Sequence, residues 1–105
     1  MNEPSSPTRV LVLGATGMLG NAMLRFFADS LGFEATGSAR SAVGVARLRE
    51  DLRPRVRCGV DIENPDALAG LLDRVRPQLV INCVGLVKQL AEAEAAVQVV
   101  KDGSQ

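Results

Sequence analysis

Residues 10–24 read VLVLGATGMLGNAML. Four branched aliphatics, Val10 to Leu13, give way to three glycines in seven positions, Gly14, Gly17 and Gly20, and then to helix-forming residues. Glycine loses more backbone freedom on folding than any other residue and brings no side chain to bury. A packed strand or helix gains nothing from it, so the stretch predicts a backbone kept bare for something to approach. Arg9–Leu13 has the pattern of a strand covered on both faces. Beyond the glycines, Leu19, Met23, Phe26, Phe27 and Leu31 follow helical spacing from Met18 to Leu31, with Gly32 placed to end the helix.

Working outward, the same alternation repeats. Phe33–Ser38 is a short strand interrupted by Gly37, and Ala42–Leu52 is expected to be helical through Val43, Ala46 and Leu48, closed by Pro54. Arg55–Val60 alternates with period two and predicts a third strand. Asn64-Pro65-Asp66 is a helix start: Asn64 caps, Pro65 suits the first turn, and Asp66 faces the positive end of the dipole. That helix runs through Leu68, Leu71, Leu72 and Val75 to Arg76 and stops at Pro77. Leu79–Val84, LVINCV, is a fourth strand, and the alanine-rich residues 88–101 are expected to be helical. Strands alternating with helices at short spacing mean βαβ units and a parallel sheet with helices on its faces.

The gross composition narrows the function. With 105 residues the chain is one domain at most, and 47% apolar residues suffice for a core. Twelve basic and twelve acidic residues balance, which argues against a nucleic-acid or membrane-surface partner held by bulk charge. Five arginines fall between Arg47 and Arg57. They read as an anion patch or, with Glu50 and Asp51 interleaved, as a solvated flank; mixed signs favour the flank. The two cysteines, Cys58 and Cys83, lie in apolar segments and there is no histidine. A Cys/His metal site is excluded, and a thiol nucleophile would lack its imidazole base. Small buried hydrophobes in a reducing cytoplasm is the expectation for both. The opening MNEPSSPTR carries Glu3 and two prolines, and no apolar run approaches the roughly 18 residues of a membrane span.

Gly14-Ala15-Thr16-Gly17-Met18-Leu19-Gly20 therefore falls between the first strand and the first helix. A nucleotide pyrophosphate fits on such a helix N-terminus, where unpaired N–H groups and the helix dipole favour negative charge. Gly14 would permit the tight turn, Gly17 would let backbone approach phosphate, and Gly20 would let helix and strand pack closely. An ordinary glycine-rich turn is the alternative, and the position at the head of a βαβ series weighs against it.

The spacing is G-x-x-G-x-x-G, and here the chain resembles a family. VLGATGMLG after the first strand is similar to the extended short-chain dehydrogenase/reductase group of sugar-nucleotide enzymes. GVDIENPDALAGLLDRVRPQLVINCVG resembles the dTDP-4-dehydrorhamnose reductase branch, with its Asp-hydrophobic step after strand three and R-P-D-x-V-I-N-x-A-A step ending strand four. The resemblance covers roughly residues 9–90. It implies an α/β fold, a Rossmann-type doubly wound parallel sheet, incomplete at about four βα units. Residues 1–8 would be a disordered lead-in, 9–101 the NAD(P)-binding domain and 102–105 a frayed tail, with the carboxyl-terminal substrate domain absent.

The resemblance also implies site roles. Gly14, Thr16, Gly17, Met18, Leu19 and Gly20 match the phosphate turn. Asp61 and Ile62 match the adenine-contacting step, a carboxylate for the exocyclic amine and an aliphatic for the ring face. Taken on its residues alone, Asp61 reads equally as a turn residue before the Asn64 cap. Val84, Gly85, Leu86 and Val87 match the segment beside the ribose and nicotinamide, although family members often carry alanines and a threonine there.

An acidic residue about 20 positions beyond the glycines would bind a ribose 2′-hydroxyl. Glu34 lies at about that distance but starts the second strand instead of ending it. The strand's end reads Thr36-Gly37-Ser38-Ala39-Arg40-Ser41. Arg40 offers a planar fork of donors suited to a 2′-phosphate, with Ser38 and Ser41 as hydroxyl donors. NADP(H) is thus favoured over NAD(H), with Arg40 as a solvated loop residue the alternative.

Reductases of this kind use a Tyr-x-x-x-Lys pair to protonate the carbonyl as hydride arrives. These residues include no tyrosine, and the only lysines are Lys88 and Lys101. Three readings follow. The chain is the amino-terminal part of a sugar-nucleotide reductase or epimerase, cytoplasmic, serving rhamnose and cell-surface polysaccharide synthesis and meeting its nucleotide-sugar only through a carboxyl-terminal part. Otherwise it is a non-catalytic NADP(H) sensor, or an interaction domain with an empty glycine loop. Four parallel strands would leave open sheet edges, so self-association through them is expected.

Overall fold

The computed structural model describes residues 6–84 and 98–101. Five strands, β1 (Thr8–Leu13), β2 (Phe33–Ser38), β3 (Val56–Arg57), β4 (Leu79–Asn82) and β5 (Gln98–Lys101), form one sheet in the order β3-β2-β1-β4-β5. The first four are parallel, and β5 pairs antiparallel with β4. Helix α1 (Met18–Ala28) joins β1 to β2, and α2 (Pro65–Val75) joins β3 to β4. The chain moves outward from β1 to β2 and β3, then crosses back to lay β4 on the other side of β1. The arrangement is an incomplete Rossmann-like α/β fold.

Strand β1 shows why the sheet is covered on both faces. Val10, Leu11 and Val12 have no exposed surface. Because side chains alternate across a strand, Val10 and Val12 join a core with Leu24 and Phe27 of α1, while Leu11 and Leu13 join another with Leu71 of α2. An all-apolar run satisfies both layers at once.

Helix α1 ends at Ala28, earlier than the periodicity predicts. Its buried face is Gly20, Leu24 and Phe27, whereas Leu31 is 97% exposed in the turn to β2. The Ser30 hydroxyl donates to the Phe26 carbonyl at 2.6 Å and closes the last turn. Gly37 does not break β2; a Cβ there would meet the Ala15 Cβ at 2.6 Å, so the glycine lets the strand lie against the turn after β1.

The helix expected over Ala42–Leu52 is instead two 3₁₀ turns, Val43–Arg47 and Glu50–Arg55, and Pro54 lies inside the second. Pro54 has no amide to give an α-helical ladder, and Leu48 and Arg49 between the turns are extended. The two turns still bury Leu48 and Leu52. Their arginines are occupied internally: Arg53 donates to the Leu48 and Ala46 carbonyls, Arg55 to Ala35, and Arg57 to Pro54. Arg49 bridges Asp29 and Asp51. The run between Arg47 and Arg57 thus serves largely as local structure.

Strand β3 is two residues long, shorter than Arg55–Val60, because Gly59 turns the chain at φ +78. Helix α2 begins as the sequence predicts, with the Asn64 side chain accepting from the amides of Asp66 and Ala67. It ends one residue early, at Val75, with Arg76 left-handed at φ 51. Strand β4 stops at Asn82, not Val84.

The expectation of a helix reaching residue 101 is corrected at its end: Gln98–Lys101 is a strand paired with β4. The β-branched Val99 and Val100 disfavour helix, and the open edge of β4 offers a ladder of backbone groups to satisfy. The remainder of that expected helix, residues 1–5 of the 1–8 lead-in and the tail over 102–105 lie outside the described residues, while Thr8, the last residue of that lead-in, opens β1.

Candidate functional site

In an open α/β sheet the crevice forms where strand order reverses, beyond the carboxyl ends of the strands. Here β1 is flanked by β2 and β4, and a cleft of about 360 Å³ opens there. Gly14 leaves β1 at φ +80, a region where a side chain is strained. Its amide and that of Ala15 both donate to the Ser38 carbonyl, at 3.2 and 2.9 Å, tying the turn to the end of β2.

Gly17 is the N-cap of α1 and provides no side-chain bond to the helix's first amides. The first N–H groups of any α-helix lack intrahelical partners. On α2 the Asn64 side chain answers them, whereas on α1 no side chain does, and Met18, Leu19 and Gly20 line the cleft. The glycines on either side do different work. A Cβ on Gly17 would meet nothing closer than the Gly14 carbonyl oxygen at 3.7 Å, so this backbone stands open. A Cβ on Gly20 would fall 1.9 Å from that same oxygen, so its absence sets how closely helix and turn approach. Such a bare, uncapped helix start suits an anionic group such as a pyrophosphate.

Thr16 lines the cleft and is backed by Gly44, where a Cβ would meet the Thr16 Cβ at 2.8 Å. Met18, 86% exposed, stands at the rim. Ser38 also lines the cleft but is only 1% exposed, so it contributes chiefly the carbonyl that anchors the turn. Ser41 is outside the lining; its hydroxyl accepts from the Val43 amide at 3.3 Å.

Arg40 and Asp61 come together at the mouth, with Nη2 to Oδ1 3.5 Å. The Asp61 Oδ1 also accepts from the Glu63 amide at 3.0 Å, and the Asp61 carbonyl accepts from Asn64. The turn role and the place in the cleft therefore coexist. Ile62, half-buried, lines the same end. At the other end Val84 contacts the turn, its Cγ2 3.0 Å from where a Gly14 Cβ would lie. Gly85, Leu86 and Val87 are outside the described residues. Glu34 is exposed at the start of β2, apart from the cleft.

Four lining residues escaped the sequence reading: Ala39, Val60, Glu63 and Cys83. Ala39 and Val60 fasten two loops, since the Ala39 amide donates to Arg57 and the Val60 amide to Ala39. Each stands beside a residue the sequence had singled out. Of the two cysteines expected to be buried, Cys58 is exposed; Cys83 is buried and unpaired, and burial pushes its thiol up from the ordinary value. It is a poor nucleophile and forms part of the wall. Among the described residues no group of acidic, Cys or His side chains could hold a metal, and no helix is long and apolar enough to cross a membrane.

The model of the NAD dependent epimerase/dehydratase family matches residues 10–102. The chain belongs to that family. It is part of the extended short-chain dehydrogenase/reductase superfamily. Comparison with curated proteins gives no match.

Proposed function

We propose that this cleft holds the pyrophosphate and adenosine of an NAD(P)(H) dinucleotide, and that the chain is the cofactor-binding part of a dTDP-4-dehydrorhamnose reductase-like enzyme. The enzyme would reduce the keto group of a nucleotide-linked sugar in the cytoplasm, in rhamnose and cell-surface polysaccharide synthesis. The observation that carries the reading is the uncapped start of α1, with an open Gly17, at the point where strand order reverses. The amides of Met18, Leu19 and Gly20 hold phosphate oxygens; Asp61 accepts from the adenine amine, and Ile62 lies on the ring face. By the family resemblance, Val84, Gly85 and Leu86 serve the ribose and nicotinamide. Arg40, at the end of β2 where a carboxylate would select a ribose hydroxyl, favours NADP(H).

The nicotinamide, when bound, supplies hydride; this chain's residues fix where it lies. A developing alkoxide also needs a proton donor and a neighbouring cation. The 105 residues hold no tyrosine, so the Tyr-x-x-x-Lys pair comes from elsewhere in the enzyme. An NAD-dependent epimerase or dehydratase is the second reading, favoured by the description of the matching family.

The test is NADPH oxidation in the presence of a dTDP-linked 4-ketosugar. These residues alone are expected to bind NADPH without oxidising it, and to turn it over when joined to a carboxyl-terminal part bearing Tyr-x-x-x-Lys. Turnover by these residues alone would overturn the division of labour. Binding without turnover in the joined protein would favour a sensor, and epimerised product without net oxidation would favour the second reading.

A further inference from the structure

Arg40 and Asp61 belong to separate loops, after β2 and after β3, and backbone bonds hold those loops in register. The Ala39 amide donates to the Arg57 carbonyl at 3.0 Å and the Val60 amide to the Ala39 carbonyl at 3.1 Å. The next residue on each loop is therefore presented side by side, and Arg40 Nη2 lies 3.5 Å from Asp61 Oδ1. The two members are not equally fixed. Asp61 is pinned by the Glu63 amide on the same oxygen. Arg40, with its side chain 72% exposed, has no other hydrogen-bond or ion-pair partner among the described residues. Its long stem leaves the guanidinium free to leave while the carboxylate stays.

We propose that Asp61 sets how strongly the cleft prefers a 2′-phosphorylated dinucleotide, by holding Arg40. This rests on the dinucleotide reading above. A ligand with a 2′-hydroxyl enters with the pair intact. A 2′-phosphate, carrying close to two negative charges, must draw Arg40 away from Asp61 before it can pair with the guanidinium. Arg40 supplies the attraction and Asp61 competes for it, an element set against the phosphorylated ligand of the kind specificity relies on. The pair thus makes the preference for NADP(H) a mild one, and the cleft takes both cofactors.

The experiment is calorimetric titration of NADP⁺ and NAD⁺ into the wild-type chain, Asp61→Asn, Arg40→Ala and the double variant. Asparagine keeps an acceptor for the Glu63 amide and for adenine while removing the charge; Asp61→Ser serves as a second variant should the first unfold. Asp61→Asn is expected to raise the preference for NADP⁺ over NAD⁺ about two- to fivefold, the span of exposed ion pairs. Arg40→Ala is expected to remove the preference, and adding Asp61→Asn to it should change the ratio by less than about twofold. An unchanged ratio in Asp61→Asn, with both affinities falling together, would overturn the inference and leave the dinucleotide reading standing. A ratio that rises equally with and without Arg40 would also overturn it, since the carboxylate would then act directly. Failure of the wild-type chain to bind either dinucleotide would overturn both.

Discussion

Gly17 and Gly20 lie one helical turn apart and meet opposite constraints. A methyl on Gly20 would run into backbone, 1.9 Å from the Gly14 oxygen, where no side chain can swing aside. Gly20→Ala is therefore expected to destabilise the chain by about 1–3 kcal/mol, as overpacking does, measured by urea unfolding. Gly17→Ala has open space, with its nearest neighbour at 3.7 Å. It should change stability by less than about 1 kcal/mol, yet weaken dinucleotide binding, because its methyl occupies the phosphate's approach. Equal losses of stability in the two variants would contradict this division. At this scale the sequence is informative because glycine is a direct record of backbone demand. What it could not disclose was which glycine is packed and which is open, since both answers produce the same letter. Nor could it show Ser38 as buried or Arg40 resting on Asp61, for these depend on how two distant loops are fastened.

The elements were legible where local chemistry decides them. Asn64-Pro65-Asp66 reads as a helix start because the cap is local, and the amides of Asp66 and Ala67 duly donate to the Asn64 side chain. Asn64→Ala is expected to cost about 1 kcal/mol in chemical denaturation, with α2 fraying from its first turn. The segment after β2 misleads because Val43, Ala46 and Leu48 imitate helical spacing, while the chain buries Leu48 and Leu52 through two tighter turns, the second containing Pro54. Those turns are tied to the end of α1 by Arg49. Hydrogen bonds from its guanidinium hold the Asp29 and Asp51 carboxyls below their ordinary 3.8. Lowered native values mean the stabilisation is present above that value and lost as pH falls through the native ones. The stability gap between wild type and Arg49→Ala should accordingly be widest near neutrality and close as pH falls below about 4, read from urea midpoints across that range. A gap that widens in acid would contradict the assignment.

At the scale of the whole molecule, alternating strand and helix signals were enough for a parallel sheet covered on both faces, because each β1 residue must satisfy one layer or the other. The fifth strand was not legible: the alanine-rich segment before it carries a helical signal, which hid the weaker β-branched signal of Val99 and Val100 and the pairing of Gln98–Lys101 with β4. The edges are now β3 and β5. Neither has a further strand partner among the described residues, so we expect sedimentation to show association as concentration rises. A concentration-independent monomer with a sharp unfolding transition would argue that these edges are adequately protected. Above this stands the claim that the first turn of α1 is a phosphate cradle. Its most direct test is an amide NMR titration of the chain with NADP⁺. A cradle there should give saturable shifts concentrated on the Gly17, Met18, Leu19 and Gly20 amides, with smaller ones at Arg40 and Asp61. Absence of shifts, or shifts gathered at the capped start of α2, would contradict it.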